Sequence, residues 1–227
     1  MRATFHRELA TLQARLVAIG QVVQAQLDEA LAALAAGDAD AADAVVRRDQ
    51  QVNARSAEVE GGLLCTMARQ APVAGDLRLV AGLLHVNEHL ERMGDLCANV
   101  AKSVPAMAEH PPPTEIRATL AEMGARAAEV VAAAVACFTD LDAAAAERLP
   151  TLDQAVDRLN DRVFTLVAQH NGSGALAWVP QVVLLARFLE RLGDQAVDIG
   201  EQTRFVATGE VRELLPSKAD RIPAGSR

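Results

Sequence analysis

Apolar residues recur at steps of three and four from the start of the chain: Leu9, Leu12, Leu16, Ile19, Val23, Leu27, Leu31 and Leu34. That spacing keeps one face of a helix apolar and predicts a helix over residues 4–36. Gly37-Asp38 interrupts it, and Asp38 is suited to cap a second helix running to about residue 70, with Gly61-Gly62 a weak point inside it. Pro72 and Gly75 mark a turn, and Asp76 is expected to cap a third helix that ends near Ser103. The stretch from Pro105 to Pro113 ends in three consecutive prolines and reads as a linker. The pattern then restarts with a helix over 114–139 and another from about Leu141 to His170, in which Pro150 either kinks the helix or delays its start. A turn at Asn171-Gly172-Ser173-Gly174 leads to a last helix. Pro180 is placed at its start, where proline is tolerated, and Gly209 just past its end.

The two halves repeat each other. Leu90-Glu91-Arg92-Met93-Gly94-Asp95 returns as Leu189-Glu190-Arg191-Leu192-Gly193-Asp194, at an offset of 99. Asp49 is echoed by Asp153 at an offset of 104, so a small insertion separates the two registers. A period near one hundred residues predicts a duplicated unit rather than a short-repeat solenoid. The expected fold class is all-α, two tandem three-helix bundles: residues 1–109, residues 114–215, and a polar, disordered tail over 216–227.

Composition fits this picture. The 227 residues are rich in alanine and leucine, hold no tyrosine and are only 3% aromatic, which suits helices packed closely on helices. A formal net charge of −8 argues against nonspecific binding to nucleic acid or anionic lipid and favours cations or basic partners. Cys65, Cys97 and Cys137 are far apart and form no CxxC, so they are expected to be buried thiols of a cytoplasmic protein. The first twenty residues carry Arg2, Arg7, Glu8 and Arg15 and lack a signal-type apolar core. No run approaches the roughly 18 apolar residues that read as a membrane span.

The candidate chemistry is acidic. At about 100° per residue, Glu91, Asp95, Glu88 and Asn99 fall in one arc of the third helix, opposite Leu83, Val86, Leu90, Met93, Cys97 and Val100. Glu190, Asp194, Arg187 and Asp198 fall in the same arc of the last helix. A solvated face is the simplest account of one such stripe. Yet like charges four apart cost a helix roughly 0.2–0.5 kcal/mol per pair, and both halves accept that cost at matching positions. The neighbouring helix adds Asp153, Asp157 and Asp161. Carboxylates that converge between two helices need countercharge, from arginines or from a metal ion such as magnesium, manganese, iron or zinc. The second half has Asp157 and Asp198 where the first has Asn53 and Asn99, so its patch is expected to hold a cation more tightly. Mid-helix Gly94 and Gly193 are expected to permit close helix approach. His85 and His89 lie off the stripe and are expected to be packing or surface residues. The sequence holds no phosphate loop, GxSxG, HExxH or paired Glu-x-x-His, so no catalytic residue is assigned. The alternatives are a metal store or metal-using enzyme built on the same carboxylates, and a plain helical scaffold.

Two elements carry a family resemblance. One is Arg69-Gln70-Ala71-Pro72-Val73-Ala74-Gly75-Asp76-Leu77-Arg78. The other is the repeated Leu-Glu-Arg-x-Gly-Asp, followed by Asn99-Val100-Ala101-Lys102 in the first half and Asp198-Ile199-Gly200-Glu201 in the second, with a closing Gly209-Glu210. With these the chain resembles the PhoU family of phosphate-signalling regulators over roughly residues 4–213. The resemblance implies two three-helix bundles related by pseudo-twofold symmetry. It implies metal binding at Asp49, Glu91 and Asp95 in the first half and at Asp153, Asp157, Glu190, Asp194 and Asp198 in the second. It also implies a role: a non-enzymatic negative regulator of phosphate uptake and of the phosphate-starvation genes. Such a regulator is an adaptor between the ATPase of a phosphate ABC transporter and a sensor histidine kinase, often a homodimer, and peripheral to the inner face of the membrane.

Overall fold

In the computed structural model, residues 2–170, 172, 174–211, 213 and 214 are described. Every regular element among them is helical: α1 (Arg2–Ala36), α2 (Ala39–Gln70), α3 (Ala74–Lys102), α4 (Val104–Glu109), α5 (Thr114–Asp140), α6 (Ala143–Ala146), α7 (Leu149–Gln169) and α8 (Ala175–Thr208). The expected tail over 216–227, like Asn171 and Ser173 of the expected turn, lies outside the described residues.

The apolar stripes account for the packing. In the first half α1, α2 and α3 each pack on the other two; in the second, α5, α7 and α8 do the same. Leu9, Leu16, Ile19, Val23 and Leu27 of the α1 stripe are all buried, in a core that continues through the apolar faces of the other long helices. The halves meet along α3–α8 and α1–α5, so the two bundles share one apolar interior.

The α1–α5 crossing shows the symmetry directly. A Cβ on Gly20 would stand 3.1 Å from Val135, and one on Gly124 would stand 2.5 Å from Leu31. The offset of 104 that relates Asp49 to Asp153 also takes Gly20 to Gly124 and Leu31 to Val135. The same glycine-and-branched-chain contact is therefore made twice, with the roles exchanged. Along α3–α8, a Cβ on Gly82 would come 2.3 Å from Val206 Cγ2.

Several ends differ from the expectation. Asp38 caps α2, its carboxylate accepting from the Ala41 N–H at 3.0 Å, and Asp142 caps α6 through the Ala145 N–H at 2.9 Å. Asp76 does not cap α3. The helix begins two residues earlier, at Ala74, after a turn in which Ala71 and Ala74 both take positive φ, and Asp76 instead meets His6 Nε2 at 3.2 Å. Its carboxylate still sits in the first turn, where the helix dipole favours it. The expected linker holds a short helix, α4, because Pro105 falls in its first turn, where no N–H is needed. Pro150 delays the start of α7 to Leu149, leaving the alanines before it as the separate turn α6. Pro180 lies inside α8, which begins five residues before it. Trp178, edge-on to His170 at 5.0 Å between ring centroids, fastens that early turn. Gly61-Gly62 does not loosen α2: Leu12 packs where a Gly62 Cβ would lie, and Gly61 faces open space. Gly209 ends α8 in a left-handed conformation, its N–H bonded to Phe205 O at 2.8 Å. Cys65 is exposed, against expectation, while Cys97 and Cys137 are buried and all three are free.

Two glycines give a paired test. Gly82→Ala drives a methyl into a stiff β-branched side chain and is expected to destabilise by about 1–3 kcal/mol. Gly61→Ala meets nothing and is expected to stabilise by about 0.5–1 kcal/mol. Urea denaturation of the two variants separates these signs; a rise in midpoint for both would contradict the tight α3–α8 contact.

Candidate functional site

A buried aspartate faces a glycine in each half. Asp49, on α2, is 8% exposed and Asp153, on α7, is 1% exposed. A Cβ on Gly94 of α3 would be 2.8 Å from Asp49 Oδ1, and one on Gly193 of α8 would be 2.0 Å from Asp153 Oδ1. The two mid-helix glycines do permit close approach, and what approaches is a carboxylate rather than a second backbone.

In the first centre three helices converge. Gln26 of α1, fully buried, donates its Nε2 to Asp49 Oδ1 at 3.4 Å and to the Gly94 carbonyl at 3.4 Å. Asn53 donates to the other Asp49 oxygen at 3.3 Å. Burial pushes the Asp49 carboxyl above its ordinary range. The Gln26 amide pulls it partly back, and the charge of Asp95, together with a hydrogen bond to it, pushes it up again. Glu91 is also raised, first by burial and then by the charges of Asp95 and Asp49, against a lowering by Arg92. Asp49, Glu91 and Asp95 therefore share one electrostatic site. Arg92 itself is hydrogen-bonded to Glu88, and Arg48 to Glu29 on α1 at 2.5 Å.

In the second centre Asp153 seats against Gly193, and the buried Glu190 accepts from Arg187 Nη1 at 2.6 Å. Asp157 and Asp194 are half-buried. Asp198 lies towards the seam between the halves: Gln195 Nε2 donates to its Oδ2 at 3.3 Å, and His89 Nδ1 stands 3.7 Å away. His89, read from sequence as a packing or surface residue, is half-buried and meets Gln195 Oε1 at 3.0 Å, so it ties α3 to α8. Asp161 is exposed.

The donor set suits a hard cation, since these are crowded carboxylates of which Asp49 and Glu91 resist ionisation. Among the described residues, no three histidine, cysteine, aspartate or glutamate side chains already stand as a ligand set.

The residues that sequence reasoning missed are the polar ones turned inward. Gln26 lies on the Ile19–Val23–Leu27 face of α1, and a lone amide on an apolar face was the available clue. Arg204, nearly buried, holds Glu147 at 3.1 Å and Glu210 at 2.6 Å, fastening α6 and the segment after α8 to the last helix. Arg78 lies against Gly209, where a Cβ would be 3.0 Å from its guanidinium, so the Asp76-Leu77-Arg78 element abuts the closing Gly209-Glu210.

The PhoU domain model matches residues 16–104 and again residues 120–203. The chain belongs to the PhoU family. It is 32% identical to the phosphate-specific transport system accessory protein PhoU homolog 1 of Mycobacterium leprae, over all of both chains. It is also 32% identical to PhoU homolog 2 of Mycobacterium tuberculosis, over 92% of this chain and 99% of that one. Among solved structures, PhoU from Pseudomonas aeruginosa superposes with a TM-score of 0.86 at 27% identity, covering 91% of this chain and all of the other. The phosphate transport system regulatory protein PhoU from Streptococcus pneumoniae superposes with a TM-score of 0.84 at 26% identity, covering 92% and 99%. The helical bundle of this chain is thus the PhoU bundle.

The raised carboxyls have a stability consequence with a definite sign. A carboxyl whose folded pKa exceeds its unfolded one binds protons more readily when folded, so it supports folding in acid and that support is lost as pH climbs. Stability contributed by Asp49 and Glu91 is therefore expected to fall from about pH 4 upward, through their raised values. Asp49→Asn keeps an acceptor and removes the titration. Urea midpoints between pH 4 and 7 should converge on or cross those of the wild type, with the variant relatively more stable at pH 7. A constant difference across that range would contradict the assignment.

Proposed function

We propose that this chain is a non-enzymatic regulatory accessory protein of a phosphate transport system, and that it restrains phosphate uptake and the phosphate-starvation genes when phosphate is plentiful. The observation that carries this reading is the end-to-end match to proteins named phosphate-specific transport system accessory proteins. In finer detail, the chain is an adaptor that contacts the ATPase of the phosphate ABC transporter and a phosphate-sensing histidine kinase. It acts as a homodimer at the cytoplasmic face of the membrane. No described helix is long and apolar enough to cross a membrane, and the net charge of −8 is poorly suited to anionic lipid, so the contact with the membrane is proposed to run through its partners. Residues 1–109 and 114–215 are taken as its two repeats, a division that the two matched segments support.

The acidic centres are the proposed working parts. Each sits where the second and third long helices of its half meet, so what binds there bears on how those helices pack. Metal ions are proposed to be held by Asp49, Glu91 and Asp95 in one centre and by Asp153, Asp157, Glu190, Asp194 and Asp198 in the other. A bound magnesium, manganese, iron or zinc ion would supply positive charge that neutralises the crowded carboxylates. The specific observation favouring this is that Asp49 and Glu91, already raised by burial, stand close enough to Asp95 for its charge to raise both further. A basic surface on a partner protein can supply the same charge, which makes cation and partner two ways of biasing one site.

Alkaline phosphatase, or another phosphate-starvation reporter, is the direct test. In phosphate-rich medium, a strain lacking this gene and any paralogue is expected to express the reporter at high level, and the wild-type gene should restore repression. A reporter that stays silent in that strain would contradict the regulatory role.

A further inference from the structure

Near the turn that joins them, α2 and α3 leave an apolar face uncovered. Leu64 is 51% exposed, Val73 69% and Leu77 42%. Leu64 lies eleven residues, about three turns, beyond Asn53, and Leu77 lies eighteen residues, about five turns, before Asp95. Asn53 donates to Asp49, and Asp95 is hydrogen-bonded to the same carboxyl. The lines of Asn53 and Asp95 thus border one groove between the two helices, and Leu64 and Leu77 stand on its opposite walls towards the turn. On α2 the apolar row runs back from Leu64 through Gly61, Ala57 and Ala54, all exposed, at the alternating steps of three and four that face a second helix. Gly61 has no reason inside the chain: a Cβ there meets nothing within 4 Å, whereas Gly62 beside it makes room for Leu12. Glycine inside a helix is unfavourable relative to alanine, and what it permits is the close approach of another group, here from outside. The duplicated half is the comparison. The offset of 104 carries Ala54, Ala57 and Gly61 of α2 to Arg158, Asp161 and Thr165 of α7, which are likewise exposed. The fold accepts a polar surface at these places, and α2 departs from it.

We infer that this face is a docking groove for an amphipathic helix of another protein, one whose apolar row is flanked by lysine or arginine. The charges choose the occupant. Glu58 and Glu60 are exposed and lie about 80° round α2 on either side of the row, where flanking charges set the partner of a paired helix. Both are acidic, so a basic flank is attracted and an acidic one repelled. Towards the turn, Arg69 is already paired with Glu8. A second copy of this chain laid antiparallel across Gly61 would bring Glu60 against its own counterpart, which selects against self-pairing. Leu64 and Leu77 take the large apolar side chains of the docked helix between them, and Gly61 lets its backbone come close. The surface uses none of the carboxylates of the acidic centres, so it stands or falls apart from any cation bound there.

The test uses the full chain and two synthetic helical peptides of about three heptads, alike in a leucine row and differing only in lysine or glutamate at the flanking positions. Binding is read by the fluorescence anisotropy of the labelled peptide. The lysine-flanked peptide is expected to bind about tenfold more tightly than the glutamate-flanked one, the scale of one well-placed set of charges. Leu64→Glu with Leu77→Glu should weaken it by about tenfold or more while helicity stays unchanged, because both side chains are exposed. Glu58→Lys with Glu60→Lys should reverse the preference between the two peptides. Gly61→Gln should raise the urea midpoint, since glutamine favours a helix over glycine and meets no neighbour, and should at the same time weaken the peptide. A merely solvated face gives the first of those changes without the second. Equal binding of the two peptides, binding unmoved by the folded variants, or no binding of either would overturn the inference. So would a chain that sediments as a dimer and becomes monomeric with Leu64→Glu and Leu77→Glu, since the groove then belongs to a second copy.

Discussion

A carboxylate pressed against a glycine is the contact around which each half is arranged. An aspartate placed between two helices needs room and needs its charge answered, because a buried unpaired charge is costly. Gly94 and Gly193 provide the room, since any Cβ there would collide with the Asp49 or Asp153 oxygen. The groups that meet the charge of Asp49 come from two helices. In the first half, α1 contributes the buried Gln26 and α2 contributes Asn53. In the second half, Arg187 pairs with the buried Glu190 on α8. Each centre therefore couples the packing of its long helices to local charge, which is the property a regulator needs if binding is to alter shape.

The seam between the halves holds the two centres in fixed relation. Glycines at the α1–α5 and α3–α8 crossings let side chains interlock closely, in a core that passes continuously from one bundle to the other. The seam is not symmetric in chemistry. His89, Gln195 and Asp198 form a polar link between α3 and α8. The offset of 99 carries the first two of these positions to Phe188 and Leu96, which are apolar and packed in the core. The polar link is thus without a polar counterpart at those two matching positions.

Much of this was legible in the sequence, for physical reasons that can be named. The α1 stripe from Leu9 to Leu34 and the duplicated Leu-Glu-Arg-x-Gly-Asp report burial and repetition, which periodicity records directly. Asp38 and Gly209 were recognisable as caps because their chemistry acts locally. Asp76 misled because an aspartate at the third position of a helix and one at its cap look alike until the backbone before it is known. Pro180 misled because Trp178 and the preceding alanines extend α8 backwards, and a tertiary ring contact leaves no periodic trace. The acidic stripes were visible on single helices, while Gln26, the amide that completes the first centre, comes from a third helix. Its partners are set by the crossing of α1 over α2 and α3, which spacing within one helix does not encode.

The proposed regulation acts through the two seated carboxylates, and not merely through the bundle that carries them. Asp49→Asn with Asp153→Asn keeps shape and hydrogen-bonding capacity while removing both charges. The decisive measurement is the starvation reporter in phosphate-rich medium, in a strain whose only copy is this double variant and whose cells accumulate it at wild-type level. Loss of repression is expected, with the protein present and folded. Full repression by that variant would show that the bundle regulates without its buried charges, and would contradict the claim.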